Sequence, residues 1–401
     1  MTHPFLRRAV VLGLLSAIGP FAIDMYLPAL PAIGLALRAD VHAVQLSLMT
    51  FFLSFAISQL VYGPASDIFG RKPPLYVGIV LFIVGSIGCA LAPDIGWLIG
   101  FRFLQGLGGG APMVVPRAIV RDLHTGVEAT KLMALLLLVF SVSPVLAPLI
   151  GSFVIDAGGW RAIFWAVAAI GAVGVVLTAV TLEETRPVAA RADSSVGSTV
   201  RAFALLLRDV RFMGLTAIGG FGMAAFFIYL ANSSFVLIDH YGLTPRQYSL
   251  VFSVNAASFI GASQFAGRFA ARYGLPKLIA VAVLGFTATM VATCAVDLAG
   301  NESLAVIVAM LMLGFGFLGL VVPTTSVMAL DDHGTIAGAA SALMGTLQLV
   351  MGAVVIAALG PFVDGTARPM LIGIAVVALV AGALTWLTLG RAPHHAPAVG
   401  R

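Results

Sequence analysis

Val10–Pro31 reads VVLGLLSAIGPFAIDMYLPALP, an apolar stretch that carries a single carboxylate, Asp24. About 20 apolar residues rising 1.5 Å each cover the roughly 30 Å hydrocarbon layer of a bilayer, so the stretch predicts a membrane span. An Asp near the middle of such a helix costs about 2.5–3.5 kcal/mol on the insertion scale. A buried cation, a water-filled cavity or protonation can offset that cost, and all three belong to proteins that couple protons to solute movement. Arg7 and Arg8 precede the stretch as in a signal peptide, yet it is longer than a signal h-region and ends in Leu27-Pro28-Ala29-Leu30-Pro31 without a cleavage site. It is expected to stay in the mature protein.

Working outward, the whole chain has the same character. Its 401 residues are 60% hydrophobic and 10% charged, with mean hydropathy +1.06, where soluble domains run near 45–50% apolar and about 25% charged. Apolar windows recur at Val10–Leu30, Leu46–Ala65, Leu75–Ala92, Trp97–Val115, Leu132–Ile155, Ala162–Leu182, Met213–Ile238, Leu250–Ala270, Leu278–Val296, Leu304–Met328, Ile336–Phe362 and Met370–Leu389. The expected fold is all-α and integral to the membrane, with twelve transmembrane helices. The one long polar interval, Glu183–Val210, divides the windows into two sets of six, giving a half at 1–183, a linker at 184–210 and a half at 211–401.

The net charge of +5 does not point to nucleic acid, because the basic residues sit in short turns rather than in a patch. Their placement reads as topology. With the N-terminus inside, the outside turns hold only Arg38, Arg161, Arg246 and Arg368, so both ends are expected in the cytoplasm. The inside turn Asp331-Asp332-His333 lacks Lys and Arg, but acidic residues weigh little in orientation. Cys89 and Cys294 lie in apolar segments and are expected as free thiols; no cofactor or metal is implied. The histidines lie in turns and tails and no H-E-x-x-H occurs, so a membrane-embedded hydrolase is not expected.

Several constellations carry chemistry. Gly63-Pro-Ala-Ser-Asp67-Ile-Phe-Gly70-Arg71-Lys72 after the second window is echoed by Gly267-Arg-Phe-Ala-Ala-Arg-Tyr-Gly274 after the eighth, a repeat that fits duplication of a six-helix unit. Asp67 has candidate partners in Arg117 and Arg121 of the next inside turn, as a latch or as a solvated turn that sets orientation. Arg102, in the fourth window, is buried at the same expense as Asp24. At 1.5 Å per residue Asp24 is about 9 Å from Leu30 and Arg102 about 8 Å from Trp97, so the two can meet at one level, as a coupling pair or a static one, unless Arg102 snorkels outward alone. The glycines of Gly106-Leu-Gly108-Gly109-Gly110 permit close helix contact. In the fifth window Pro144, Ala147, Pro148 and Gly151 keep one surface small, and Pro148 removes a donor and is expected to bend the helix. Tyr26, Met113, Phe226, Phe227, Tyr229, Asn232, Asn255, Met344 and Gln348 are candidate linings of an apolar cavity with sparse polar groups, or helix-packing and lipid-facing residues.

Gly63–Lys72 resembles the loop signature of the major facilitator superfamily, Arg102-Phe-Leu-Gln105-Gly106 looks like its R-F-x-Q-G motif, and Ser143-Pro144 to Gly151-Ser152 is similar to its antiporter motif, with Ser or Ala at several Gly positions. Asp24-Met-Tyr-Leu-Pro-Ala-Leu-Pro31 and Ala337-Gly-Ala-Ala-Ser-Ala-Leu343 resemble the Bcr/CflA-type multidrug exporters. That resemblance implies drug/proton antiport across the bacterial inner membrane, with phenicols, sulfonamides or bicyclomycin as substrates. It implies a cytoplasmic latch of Gly63, Asp67, Gly70, Arg71, Lys72, Arg117 and Arg121. The protein is separately expected to act as a monomer. A proton-coupled uptake symporter for a small metabolite, built on the same fold, is the alternative.

Overall fold

The computed structural model describes residues 3–123, 126–187 and 196–390, which form helices joined by short turns. In chain order these are α1 His3–Asp24, α2 Leu30–Leu37, α3 Val41–Ile68, α4 Lys72–Ala90, α5 Ile95–Leu123, α6 Gly126–Thr181 and α7 Val196–Arg208. After them come α8 Val210–Ser234, α9 Pro245–Ser263, α10 Ala266–Tyr273, α11 Leu275–Leu298, α12 Leu304–Asp331, α13 Ala337–Leu359 and α14 Ala367–Leu389. Among the described residues, 11 helices are long and apolar enough to cross a membrane. Arg191 and Asp193 of the polar interval, and Arg391 and Arg401 of the tail, lie outside the described residues.

The opening stretch is not one helix. α1 stops at Asp24, a 3-10 turn follows at Leu27–Ala29, and α2 resumes at Leu30. Pro28 and Pro31 stand in the first turns of these two elements, where no intrahelical donor is needed, so the sequence restarts a helix without losing a hydrogen bond. The helical ladder is interrupted just where the carboxylate sits, within one apolar span from Arg7 to Leu37.

The windows Leu132–Ile155 and Ala162–Leu182, expected as separate helices, fall within α6, whose one non-helical residue is Gly159 at φ 70 and ψ −176. The apolar part, Ser141–Thr181, is 41 residues long, about twice what one crossing needs at 1.5 Å per residue. Gly159 tolerates the positive φ that a side chain resists, and the chain changes course there. Backbone angles remain helical through Pro144 and Pro148, so no break marks the prolines.

Polar side chains start α3, α8 and α9. Asp40 accepts from Ala43 N at 2.7 Å ahead of α3, Thr244 and Gln247 form a capping box ahead of α9, and Asp209 accepts from Arg211 N and Phe212 N ahead of α8. Burial and backbone donation compete at Asp209, and the donors, together with His333, hold its carboxyl below the usual carboxylate range. The two similar turns share a backbone as well as a sequence: Gly70 and Gly274 end α3 and α10 at φ 92 and φ 80.

In the first group of helices, α3 and α4 pack on α5, and α1 and α4 pack on α6. In the second, α11 packs on α12 and α14, α9 on α12, and α13 and α14 on α8. The groups meet chiefly where α13 lies on α3 and α9 lies on α6. The glycine run acts as expected: a Cβ on Gly106 would strike Ser54 and the Phe51 backbone of α3, and one on Gly108 would strike the Phe82 backbone of α4. α7, within the polar interval, buries Leu206 and rests on α13 and α8.

Candidate functional site

Asp24 is 4% exposed and is the last residue of α1. Its Oδ2 accepts one hydrogen bond, from Ser143 Oγ of α6 at 3.3 Å. Gly151, farther along α6, leaves no room for a side chain because the Met25 backbone occupies that space. The seam between α1 and α6 is therefore closed around the carboxylate. Tyr26, expected as a cavity lining, is fully buried, bonds Ser47 Oγ at 2.7 Å and packs on Phe164.

Arg102 is fully buried at the expected level but with different partners. Its Nη1 donates to Gln105 Oε1 at 2.7 Å and to the Ala22 carbonyl at 3.2 Å. Its guanidinium carbon lies 4.4 Å from the Tyr26 ring centre and 4.3 Å from that of Phe51, two faces that attract a desolvated cation. Gln105 passes the contact on to Ser86 at 2.8 Å. The direct Asp24–Arg102 ion pair expected from the sequence is not formed in this conformation. Two aromatic faces and a carbonyl hold the cation, while the end of α1 turns the carboxylate toward α6.

The end of the bundle where α1 begins can be called the near end, and the opposite end the far end. Toward the far end the two groups are stitched together by neutral donors. Gln45 Nε2 of α3 donates to Asn232 Oδ1 at 2.8 Å and to Ala231 O at 3.3 Å on α8. Ser249 and Ser253 of α9 donate to Pro148 O at 2.9 Å and Val145 O at 2.7 Å on α6. Phe52 packs on Phe227 at 4.9 Å, and the exposed pair Arg246–Asp156 closes the rim at 2.9 Å. Asn232, expected as a cavity lining, spends its amide on Gln45 and on its own Ile228 carbonyl. None of Gln45, Ser249 and Ser253 stood out in the sequence; the four-residue spacing of the two serines was the available signal.

The near-end cluster also departs from expectation. Asp67 bonds Arg71 at 2.6 Å rather than Arg117 or Arg121. Arg71, 3% exposed, is the hub: Nε and Nη2 fork onto Asp122 at 2.7 and 3.0 Å. An i,i+4 partner on the same chain segment reaches Asp67 before arginines on another helix can. Burial alone would lower the Arg71 guanidinium, but Asp122 and Asp67 together hold it above its ordinary value. Glu184 caps α4 by accepting from Arg71 N and Lys72 N at 2.9 and 3.1 Å, and Lys72 Nζ donates to Leu182 O. Arg121 reaches across instead, with Nη1 against Gly338 at the start of α13. Arg117 donates toward Met113 Sδ at 3.8 Å.

The remaining cavity candidates separate into two sets. Phe226, Tyr229 and Asn255 belong to one aromatic cluster with Phe252, Phe259 and Phe315; Asn255 Nδ2 donates to Tyr229 Oη at 3.0 Å. Met344 is buried on α13, and Gln348 of the same helix sits beside Gly219 and Gly220 of α8.

A bundle of membrane-length apolar helices in two groups, with Asp24 and Arg102 buried in the first, has the architecture of a membrane transporter. Residues 12–356 match the family model described as Major Facilitator Superfamily, and the chain belongs to that superfamily. It is 38% identical over 368 residues to "Uncharacterized MFS-type transporter YdgK" of Bacillus subtilis, covering 91% of each chain. It is 29% identical over 365 residues to "Bicyclomycin resistance protein homolog" of Haemophilus influenzae, covering 90% of this chain and 91% of that one. Among solved structures, the partially occluded, inward-open xylose transporter XylE of E. coli overlays with TM-score 0.74 at 14% identity, covering 96% of this chain and 98% of that one, a likeness of fold. Together these identify a multi-pass transporter of the major facilitator superfamily, with relatives named for antibiotic resistance.

Proposed function

We propose that this protein exports small amphipathic antimicrobials of the phenicol, sulfonamide or bicyclomycin kind from bacteria in exchange for protons. It works as a monomer in the inner membrane, by alternating access between halves at 1–183 and 211–401 joined through 184–210. The near end is the cytoplasmic side in this reading, because Arg7, Arg8, Arg71, Lys72, Arg117 and Arg121 gather there. The chain then crosses twelve times, with the two parts of α6 counted apart.

The observation that carries the reading is Asp24. It is a carboxylate with one hydroxyl donor, buried in a membrane helix at the joint with α6 and beside α9. A proton taken up there from outside neutralises the site, favours drug release and permits return; its loss inside readies the site for drug. Arg102 keeps Nε and Nη2 without hydrogen-bond partners among the described residues, in the layer of Ala22 just before the carboxylate. A rearrangement of α1 that releases Ala22 O brings Asp24 and Arg102 together as the proton-coupling pair. Phe226, Phe227, Tyr229, Asn255, Met113, Met344 and Gln348 supply an adaptable wall for varied drugs.

The test uses purified protein in liposomes with an imposed pH gradient and a phenicol as cargo. Wild type is expected to move the drug against the proton flux, and Asp24→Asn, which mimics the protonated form, to fold but lose both active transport and drug-induced proton release. Undiminished proton release from Asp24→Asn overturns the assignment, and drug movement with the proton flux favours a symporter.

A further inference from the structure

We propose that Ser143–Pro148 of α6 is a relay that transmits the protonation state of Asp24 to the far-end gate, with Ser143 as the reader and Ser249 and Ser253 of α9 as the gate's donors. The inference rests on Asp24 being the proton site, and it names the path by which that site acts.

Six residues span about 7.5 Å of helix. On one side of this short segment Ser143 Oγ donates to Asp24 Oδ2 at 3.3 Å. On the other, the Val145 and Pro148 carbonyls accept from Ser253 and Ser249 at 2.7 and 2.9 Å. Serines four apart share one face of α9, so both bonds belong to one contact. Asp24, Ser143, Ser249 and Ser253 are all buried, so water does not compete for these bonds. The proton site and the gate thus hold the same piece of helix from opposite sides.

Two features make the contact a switch. Ser249 Oγ lies 2.8 Å from its own Pro245 carbonyl as well as 2.9 Å from Pro148 O. The Ser249 hydroxyl proton therefore has two acceptors in reach and can leave α6 without being stranded, while Ser253 has Val145 O as its one acceptor among the described residues. At the other side, an ionised carboxylate accepts a charge-assisted bond about twice as strong as a neutral one. Ionised Asp24 holds Ser143 and keeps α6 against α1; protonation weakens that hold.

The other titratable and charged groups around Asp24 are otherwise engaged. Tyr26 on its own segment bonds Ser47, Tyr248 from α9 bonds Ser233 Oγ at 3.2 Å, and Arg102 from α5 holds Ala22 O. Among the described residues, the one side chain hydrogen-bonded to the carboxylate is Ser143. The physiological sense is direct. An exchanger must keep its empty, ionised form from crossing, and a lock that closes the far end when Asp24 is charged does so.

The experiment places spin labels at Arg38→Cys and Phe362→Cys, exposed far-end positions on the two groups, with Cys89 and Cys294 changed to Ser. The inter-label distance is followed across a pH titration without drug. Wild type is expected to widen on acidification. Ser143→Ala should raise the open-to-closed ratio about tenfold at alkaline pH, the loss of one charge-assisted bond, and flatten the pH response; Ser143→Thr should restore both. Ser249→Ala with Ser253→Ala should also open the gate at alkaline pH, an independent check if Ser143→Ala folds poorly. A normal pH response in Ser143→Ala, with Asp24→Asn unresponsive, overturns the relay and leaves the proton site standing. A normal response in Asp24→Asn, or none in wild type, overturns both.

Discussion

The two ends of the bundle are held by opposite chemistry. The near-end cluster is ionic and lies inside the first group, where Arg71 grips Asp67 and Asp122 and Glu184 caps α4. The far-end seam is neutral where it is buried and runs between the groups, from Gln45 to Asn232 and from two serines to carbonyls, with the exposed ion pair Arg246–Asp156 only at its rim. A forked, buried ion pair is costly to break, since parting it leaves a charge without a partner. A hydroxyl-to-carbonyl bond has a modest net worth of about 1 kcal/mol and can be traded for another. Strong pairs therefore suit the interior of a body that moves as a unit, and weak ones the surface along which bodies part.

The largest expected effect comes from breaking the ionic side. Arg71→Ala leaves Asp122 without its fork and should cost about 3–5 kcal/mol, read as thermal unfolding in detergent; a loss under about 1 kcal/mol would show that the near end is held by something else. Because Asp122 and Asp67 hold Arg71 above its ordinary value, its share of stability is present throughout the neutral and moderately alkaline range and is lost only in strong alkali. The melting point should therefore be insensitive to Arg71 between neutral and moderately alkaline pH.

On the neutral side, Asn232→Ala removes one of the two acceptors of Gln45 and leaves the Ala231 carbonyl, a loss of about 1 kcal/mol. It should shift the labelled distance toward the open form while leaving the melting point nearly unchanged. A lowered melting point with an unmoved distance would reverse the contrast. Smaller still, Asp67→Asn is expected to slow transport turnover while sparing drug affinity, since Asp67 is 45% exposed and Asp122 keeps its fork on Arg71. Binding measured beside turnover checks it, and a large loss of affinity would contradict it.

The smallest effect belongs to the exposed near-end pair Arg211–Asp332, both 56% exposed. Arg211→Ala should cost under about 1 kcal/mol. Asp209, beside it, is held below the usual carboxylate range. Its contribution is present above the unfolded value of about 3.9 and fades as pH falls through the lower folded value. Asp209→Asn should be less stable than wild type at neutral pH and converge on it in acid; curves that coincide at neutrality and part only in acid would contradict that sign.

Much of this protein was determined by sequence alone. The apolar windows, the polar interval and the buried levels of Asp24 and Arg102 follow from hydropathy and helical rise, which are local quantities. The family motifs were legible for the same reason, as fixed spacings along one chain. Partner choice was not. Arg102 sat at the right depth, yet it took two rings and a carbonyl because α1 ends at Asp24 and aims the carboxylate at Ser143. Asp67 turned to Arg71, and Asn232 to Gln45, a residue 187 positions away. Which face of a helix meets which neighbour depends on where every other helix lies, and a one-dimensional pattern carries depth but not azimuth. Tertiary structure alone decided that the carboxylate and the far-end gate would hold the same six residues of α6.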